Sequence, residues 1–193
     1  MTPNELYVIS MCAAGQLIVY HGQDMSSLKV TTRLPFGKNL QEAASMSVLN
    51  DKSIILACGG YDSAVHIYSL ERGKADYLTY MFSLGGHLDS IRDFCFRNEG
   101  ESLLLASCSQ DSYIRLWKIA PLEVDYKSSE EYLKRYESKT SFVLKDVYKE
   151  AVYTITLDSV LINHSKAVSS IVWMGNKLLS SSFDFTVAVW DID

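Results

Sequence analysis

Proline occurs only three times in this 193-residue sequence and glycine ten times. Shares that small exclude collagen-like repeats and Pro/Gly-rich low-complexity chain. Cysteines are few as well: Cys12, Cys58, Cys95 and Cys108 sit in apolar, strand-like runs with no CxxC spacing, and only four histidines accompany them. A disulfide framework and a zinc site are therefore not expected, and buried reduced thiols are. No apolar run approaches the roughly 18 residues of a membrane helix, and the opening MTPNELYVISMC lacks the basic-then-apolar order of a secretory leader. Positive charge is also short: 18 Lys and Arg stand against 23 Asp and Glu, for a net charge of −5, the wrong sign for gripping phosphates. Gly59-Gly60 and Gly85-Gly86 belong to neither a dinucleotide-binding nor a P-loop glycine pattern and read as tight turns. The expectation is a soluble, cytoplasmic chain, with the nucleus as a second compartment, without membrane contact, metal or cofactor.

What the sequence does contain is a 48% share of hydrophobic residues, enough for a sizeable core, and internal repetition. LLLASCSQDSYIRLWK (103–118), KLLSSSFDFTVAVWD (177–191) and IILACGGYDSAVHIYS (54–69) each read as an apolar strand, a short turn with Asp, and a strand ending in an aromatic residue. The Asp lies six residues before the aromatic each time: Asp62 and Tyr68, Asp111 and Trp117, Asp184 and Trp190. A weaker copy, VISMCAAGQLIVY (8–20), keeps Tyr20 but has Ala14 where the Asp belongs. His87 precedes Ile91, Phe94 and Phe96, and His164 precedes Val168, Ile171 and Trp173 at the same offsets, marking a strand that opens each unit. LTYMFSL (78–84) and VYTITLDSVL (152–161) supply closing strands.

Aromatics at 20, 68, 117 and 190 space the units by 48, 49 and 73 residues, the last interval holding a charged insertion, residues 119–150. Four short strands per unit, with Gly86-His87 before the first and Trp190-Asp191 closing the third, is the pattern of a WD40 β-propeller. Asn163 stands for Gly before His164, and Lys118 for Asp after Trp117. The fold expected is all-β, a partial WD40 propeller over residues 1–193, with units at about 1–35, 36–84, 85–162 and 163–193. About 14 strands make three and a half blades, where a seven-bladed ring needs roughly 300 residues, so a fragment with open, self-associating sheet edges is expected.

His87, Ser107 and Asp111 imitate a nucleophilic triad, but the same types recur as His164, Ser180 and Asp184, and a Trp closes each set (Trp117, Trp190). A nucleophile is needed once, exposed, beside an oxyanion hole. In WD40 proteins, which the chain resembles, such a set is a structural hydrogen-bond relay, and no catalytic residue is expected. In the insertion, Ser128-x-x-Glu131 suggests a capping box for a short helix near EEYLKRYE, with Glu131 and Arg135 spaced i, i+4. Its seven acidic and six basic residues over 122–150 read as a solvated surface element or a docking element.

ILACGGYDSAVHIY, SLGGHLDSIRDFCF, SCSQDSYIRLWK, VYTITLDSVLINHSKAVSSIVW and the short PFG at 35–37 together resemble the WD40 subunit family of the Elongator complex, its second subunit, from about residue 7 to 191. The resemblance implies two seven-bladed propellers in one chain and a non-catalytic scaffold. Its partners would be the large first subunit and the catalytic third subunit of a machine that modifies wobble uridines of tRNA, with tRNA met only indirectly. Loops after His87 and His164 and the turns at Asp111 and Asp184 are expected on one face, making Leu88, Asp89 and Lys166 candidate partner-contact residues. The competing classes are a WD40 adaptor of another complex, a propeller enzyme, for which no polar cluster unique to one blade is found, and a direct RNA binder.

Overall fold

Side chains on a strand alternate between two faces, so apolar residues two apart build one buried face per strand. The computed structural model, which describes residues 5–11, 16–33, 41–74 and 77–192, has 15 strands and a single turn of α-helix. The strands Leu17–Gly22 and Val65–Glu71 alternate in this way, while Ser53–Gly60 is buried on both faces. Cys12, Ala14 and the PFG stretch fall outside the described residues. The chain forms two compact units, residues 1–91 and 92–193.

In the first unit, β1 (Leu6–Met11), β2 (Leu17–Gly22) and β3 (Lys29–Arg33) form an antiparallel sheet in sequence order. A second sheet, also in order, holds β4 (Gln41–Val48), β5 (Ser53–Gly60), β6 (Val65–Glu71) and β7 (Thr79–Leu84). Leu17 and Val19 of β2 pack with Ile54, Leu56 and Cys58 of β5 and Leu70 of β6, all buried. Burial of each large aliphatic side chain contributes about 1.5 to 3 kcal/mol. Tyr7 and Glu5 reach the far sheet: Arg72 Nε donates to Glu5 Oε2 at 2.9 Å and the Gly73 N–H to the Tyr7 hydroxyl at 2.7 Å.

The second unit begins one residue into β8 (Ile91–Glu99), and its larger sheet has five strands. Their order is β11 (Ser141–Asp146), β12 (Ala151–Leu161), β10 (Ile114–Pro121), β9 (Ser102–Ser109), β8. The stretch 119–150 is thus more than a solvated loop: β10 runs into it, and β11 adds a fifth strand beyond β12, with Leu144 and Asp146 buried. Between them lie α1 (Glu130–Leu133) and a 3-10 turn (Lys134–Tyr136). The cap is Ser129 rather than Ser128, its side chain accepting the Tyr132 N–H at 3.2 Å. Arg135 lies over the Tyr132 ring, 5.3 Å from its centroid.

The last sheet holds β13 (Val168–Met174), β14 (Lys177–Ser182) and β15 (Val187–Asp191). Its Val168, Ile171 and Leu178 pack on Leu104, Ala106, Cys108, Ile114 and Leu116 of β9 and β10. A polar seam runs along the opening strands β8 and β13. Asp93 accepts from the Ser170 hydroxyl at 2.6 Å and the Ile171 N–H at 3.0 Å, and Trp173 Nε1–H donates to the Cys95 carbonyl at 3.2 Å. The Arg97 guanidinium caps the Trp173 ring at 4.4 Å.

Candidate functional site: a polar relay and the turn it holds

The hairpin turns between the second and third strands of three sheets share one backbone design. In 60–63, 109–112 and 182–185 the last residue's N–H donates to the first residue's carbonyl, at 3.2, 3.3 and 3.2 Å. The third residue is Asp each time, and its Oδ1 accepts the N–H two residues on: Ala64 at 3.3 Å, Tyr113 at 2.9 Å, Thr186 at 2.9 Å. Aspartate suits this place because its short carboxylate mimics a backbone turn. The residue after the Asp is left-handed in all three: Ser63 at φ +57°, Ser112 at +73° and Phe185 at +67°.

In the last sheet, the sequence-selected residues meet. Asp184 Oδ2 lies 3.0 Å from His164 Nδ1, His164 Nε2 lies 2.8 Å from Ser180 Oγ, and Trp190 Nε1 lies 2.8 Å from the same Oγ. One assignment of protons serves every contact: Trp190 N–H donates to Ser180 Oγ, Ser180 O–H to His164 Nε2, and His164 Nδ1–H to Asp184. The order Ser, His, Asp is that of a nucleophilic triad, yet Ser180 is 1% exposed and its oxygen already accepts from Trp190. Such a serine presents no face to a substrate.

Asp184 also accepts from the Ser165 N–H at 3.0 Å and the Thr186 hydroxyl at 2.6 Å. The Thr186 hydroxyl bond, with lesser help from Ser165, His164 and the Thr186 N–H, holds the Asp184 carboxyl well below the usual carboxylate range against the opposing effect of burial. The turn is tied to the loop at 164–167, since the Ser182 hydroxyl donates to the Lys166 and Ala167 carbonyls and the Phe183 N–H to Ala167.

The other sets are placed as follows. Trp117 Nε1–H donates to Ser107 Oγ at 3.2 Å inside the second unit, both side chains buried, and the Asp111 N–H donates to Ser109 Oγ at 3.1 Å. His87 is buried in the first unit, after β7. Gly86 before it has φ +134°, a conformation glycine permits, whereas Asn163 before His164 is not among the described residues with positive φ. Leu88 and Asp89 are exposed in the first unit and Lys166 in the second. Sequence reasoning missed His66: its Nε2 lies 2.6 Å from Asp62 Oδ2, so a histidine on the strand after the turn meets this Asp. Two signals were present, the i, i+4 spacing of Asp62 and His66 and the lack of an upstream histidine. Burial pushes the thiols of Cys58 and Cys95 up to about 12 and that of Cys108 well above its usual value. Among the described residues no His, Cys, Asp or Glu cluster of metal-binding type is found, and no helix is long and apolar enough to cross a membrane.

A family model described as "WD domain, G-beta repeat" matches residues 78–118 and 155–191. Among curated proteins, the chain is similar to Elongator complex protein 2 of Homo sapiens, 31% identical over 83% of this chain and 20% of that protein. It is similar to the Mus musculus protein of the same name, 27% identical over 96% and 23%, and to that of Schizosaccharomyces pombe, 30% identical over 98% and 25%. The chain thus spans about a fifth to a quarter of the length of these relatives. Among solved structures, "Structure of U3-55K" and "Crystal structure of RRP9 WD40 repeats" each align with TM-score 0.60 at 17% identity over 96% of this chain, covering 45% and 44% of theirs. The architecture is a partial WD40 propeller, with sheets of three, four, five and three strands among the described residues.

Proposed function

We propose that this chain, a WD40-repeat protein homologous over most of its length to Elongator complex protein 2, is a non-catalytic scaffold subunit of the Elongator complex. The observation that carries the reading is the homology itself, which extends over 83 to 98% of this chain in human and fission-yeast relatives. The site chemistry supports it. A triad-like set whose serine is buried and capped by an indole fixes a turn and offers no reaction centre, while the turns themselves display side chains at low ordering cost. The partners are the large first subunit and the catalytic third subunit, and tRNA, whose wobble uridines the complex modifies, is met through them. The net charge of −5 agrees with indirect contact. The compartment is the cytoplasm, to be checked by microscopy of a tagged chain at its own locus.

Tagging the chain in its own organism and purifying it tests the assignment. Recovery of the first and third Elongator subunits, with loss of wobble-uridine modification when the gene is deleted, is expected. Recovery of a different stable assembly without them would instead make the chain an adaptor of another pathway. Tight, steeply salt-dependent binding of tRNA by the chain alone would remove the indirect role.

A further inference from the structure

The three Asp turns share a frame and differ in what they display. At the left-handed position two of them carry serine, Ser63 and Ser112, and the third carries Phe185. Left-handed backbone is a poor conformation for a bulky residue, and this one hides nothing: Phe185 is 94% exposed and Phe183, two residues before it, 59%. The rings cannot fold back by relaxing the turn, because Asp184, Ser182, Ser165 and Ala167 bind it on every side. Lys166 extends its ammonium to 5.7 Å from the centre of the Phe185 ring. The Asp184 carboxylate keeps its charge but is turned inward, its side chain only 9% exposed, so the charge that stands in solvent beside the rings is the lysine's.

We infer that Phe183, Phe185 and Lys166 form a docking point for a protein segment that presents an apolar side chain flanked by a carboxylate. Rigid aromatics held in advance lose little freedom on binding, which is how interface anchors gain their weight. A single lysine on a chain of net charge −5 is too little for a phosphate backbone, and two rings on a turn are too little apolar surface for a bilayer. The inference deepens the scaffold reading and rests on it only for the partner's identity.

The test places the photo-crosslinking residue p-benzoylphenylalanine at position 185 of the full natural chain in cells, with position 77 as control, since Tyr77 is 78% exposed in the first unit. Crosslinked segments are identified by mass spectrometry, with and without Lys166→Glu. Expected is an apolar, acid-bearing segment of an Elongator subunit, its yield falling about tenfold or more with Lys166→Glu. The same kind of segment and lysine dependence on a protein outside Elongator would uphold the docking point and remove the scaffold assignment. Crosslinks only to RNA or lipid, a yield no higher than at position 77, or indifference to Lys166→Glu would overturn the inference. In parallel, Phe183→Ser/Phe185→Ser should keep or raise the melting temperature, because serine already occupies the position matching 185 twice and the Phe183 side chain is largely exposed, while co-purification of the crosslinked partner falls about tenfold. Unchanged co-purification would also overturn it.

Discussion

At the scale of single residues, the relay of the last sheet is a set of polar groups that stay buried because each has a partner. Trp190→Phe removes the indole donor and leaves Ser180 Oγ buried without it, a loss of about 1 to 3 kcal/mol. Urea denaturation should show the midpoint falling with an unchanged slope. Asp184 adds a pH dependence of known sign. Its carboxyl binds protons less readily folded than unfolded, so its contribution is intact above the ordinary value of 3.8 and is lost as pH falls below it. Stability measured from pH 6 to pH 2 should therefore decline more gently for Asp184→Asn than for the natural chain, and equal slopes would contradict the assignment. The residue types of this relay were readable from the sequence because they recur at fixed offsets. His66 was marked only by its i, i+4 spacing from Asp62 and by the missing upstream histidine, weaker signals because no second copy of that contact exists for comparison.

Elements carry the next layer, and here the sequence was less transparent. β11 was hidden because a strand paired on one side only, in a stretch of alternating charge, shows only a short apolar signature: Phe142, Val143 and Leu144 among six residues. Its pairing with β12 comes from the hairpin at 147–150, with Glu150 at φ +52°, and not from any recurring motif. The seam between β8 and β13 was equally silent, since Asp93 has Ser170 as its counterpart only once the two strands lie side by side. Asp93→Ala leaves the Ile171 N–H and the Ser170 hydroxyl without their shared acceptor, a destabilisation of about 2 to 3 kcal/mol, typical of hydrogen bonds to a charged group. Hydrogen exchange should report it first at the Ile171 amide, and unaltered protection there would show that the seam is incidental.

For the molecule as a whole, repeat spacing is the legible feature, and the WD40 architecture follows from it. What spacing leaves unstated is which sheet faces are covered. Ile114 and Leu116 are buried against the last sheet, while the residues at the same place in that sheet, Val187 and Val189, are exposed, as is Val172 beside them. Apolar surface of this kind drives association. Sedimentation of the purified chain should show mass rising with concentration, with Val187→Thr/Val189→Thr reducing the effect, whereas a monomer at all concentrations would refute it. The seam at Asp93 also imposes an order in time. Synthesis delivers the Asp93 and Cys95 acceptors before β13, and the Ile171 N–H that completes the seam follows 78 residues later. A ribosome releasing this chain thus lays down the mould before the casting: the strands β8 to β10 on which the last sheet packs are all made before β13.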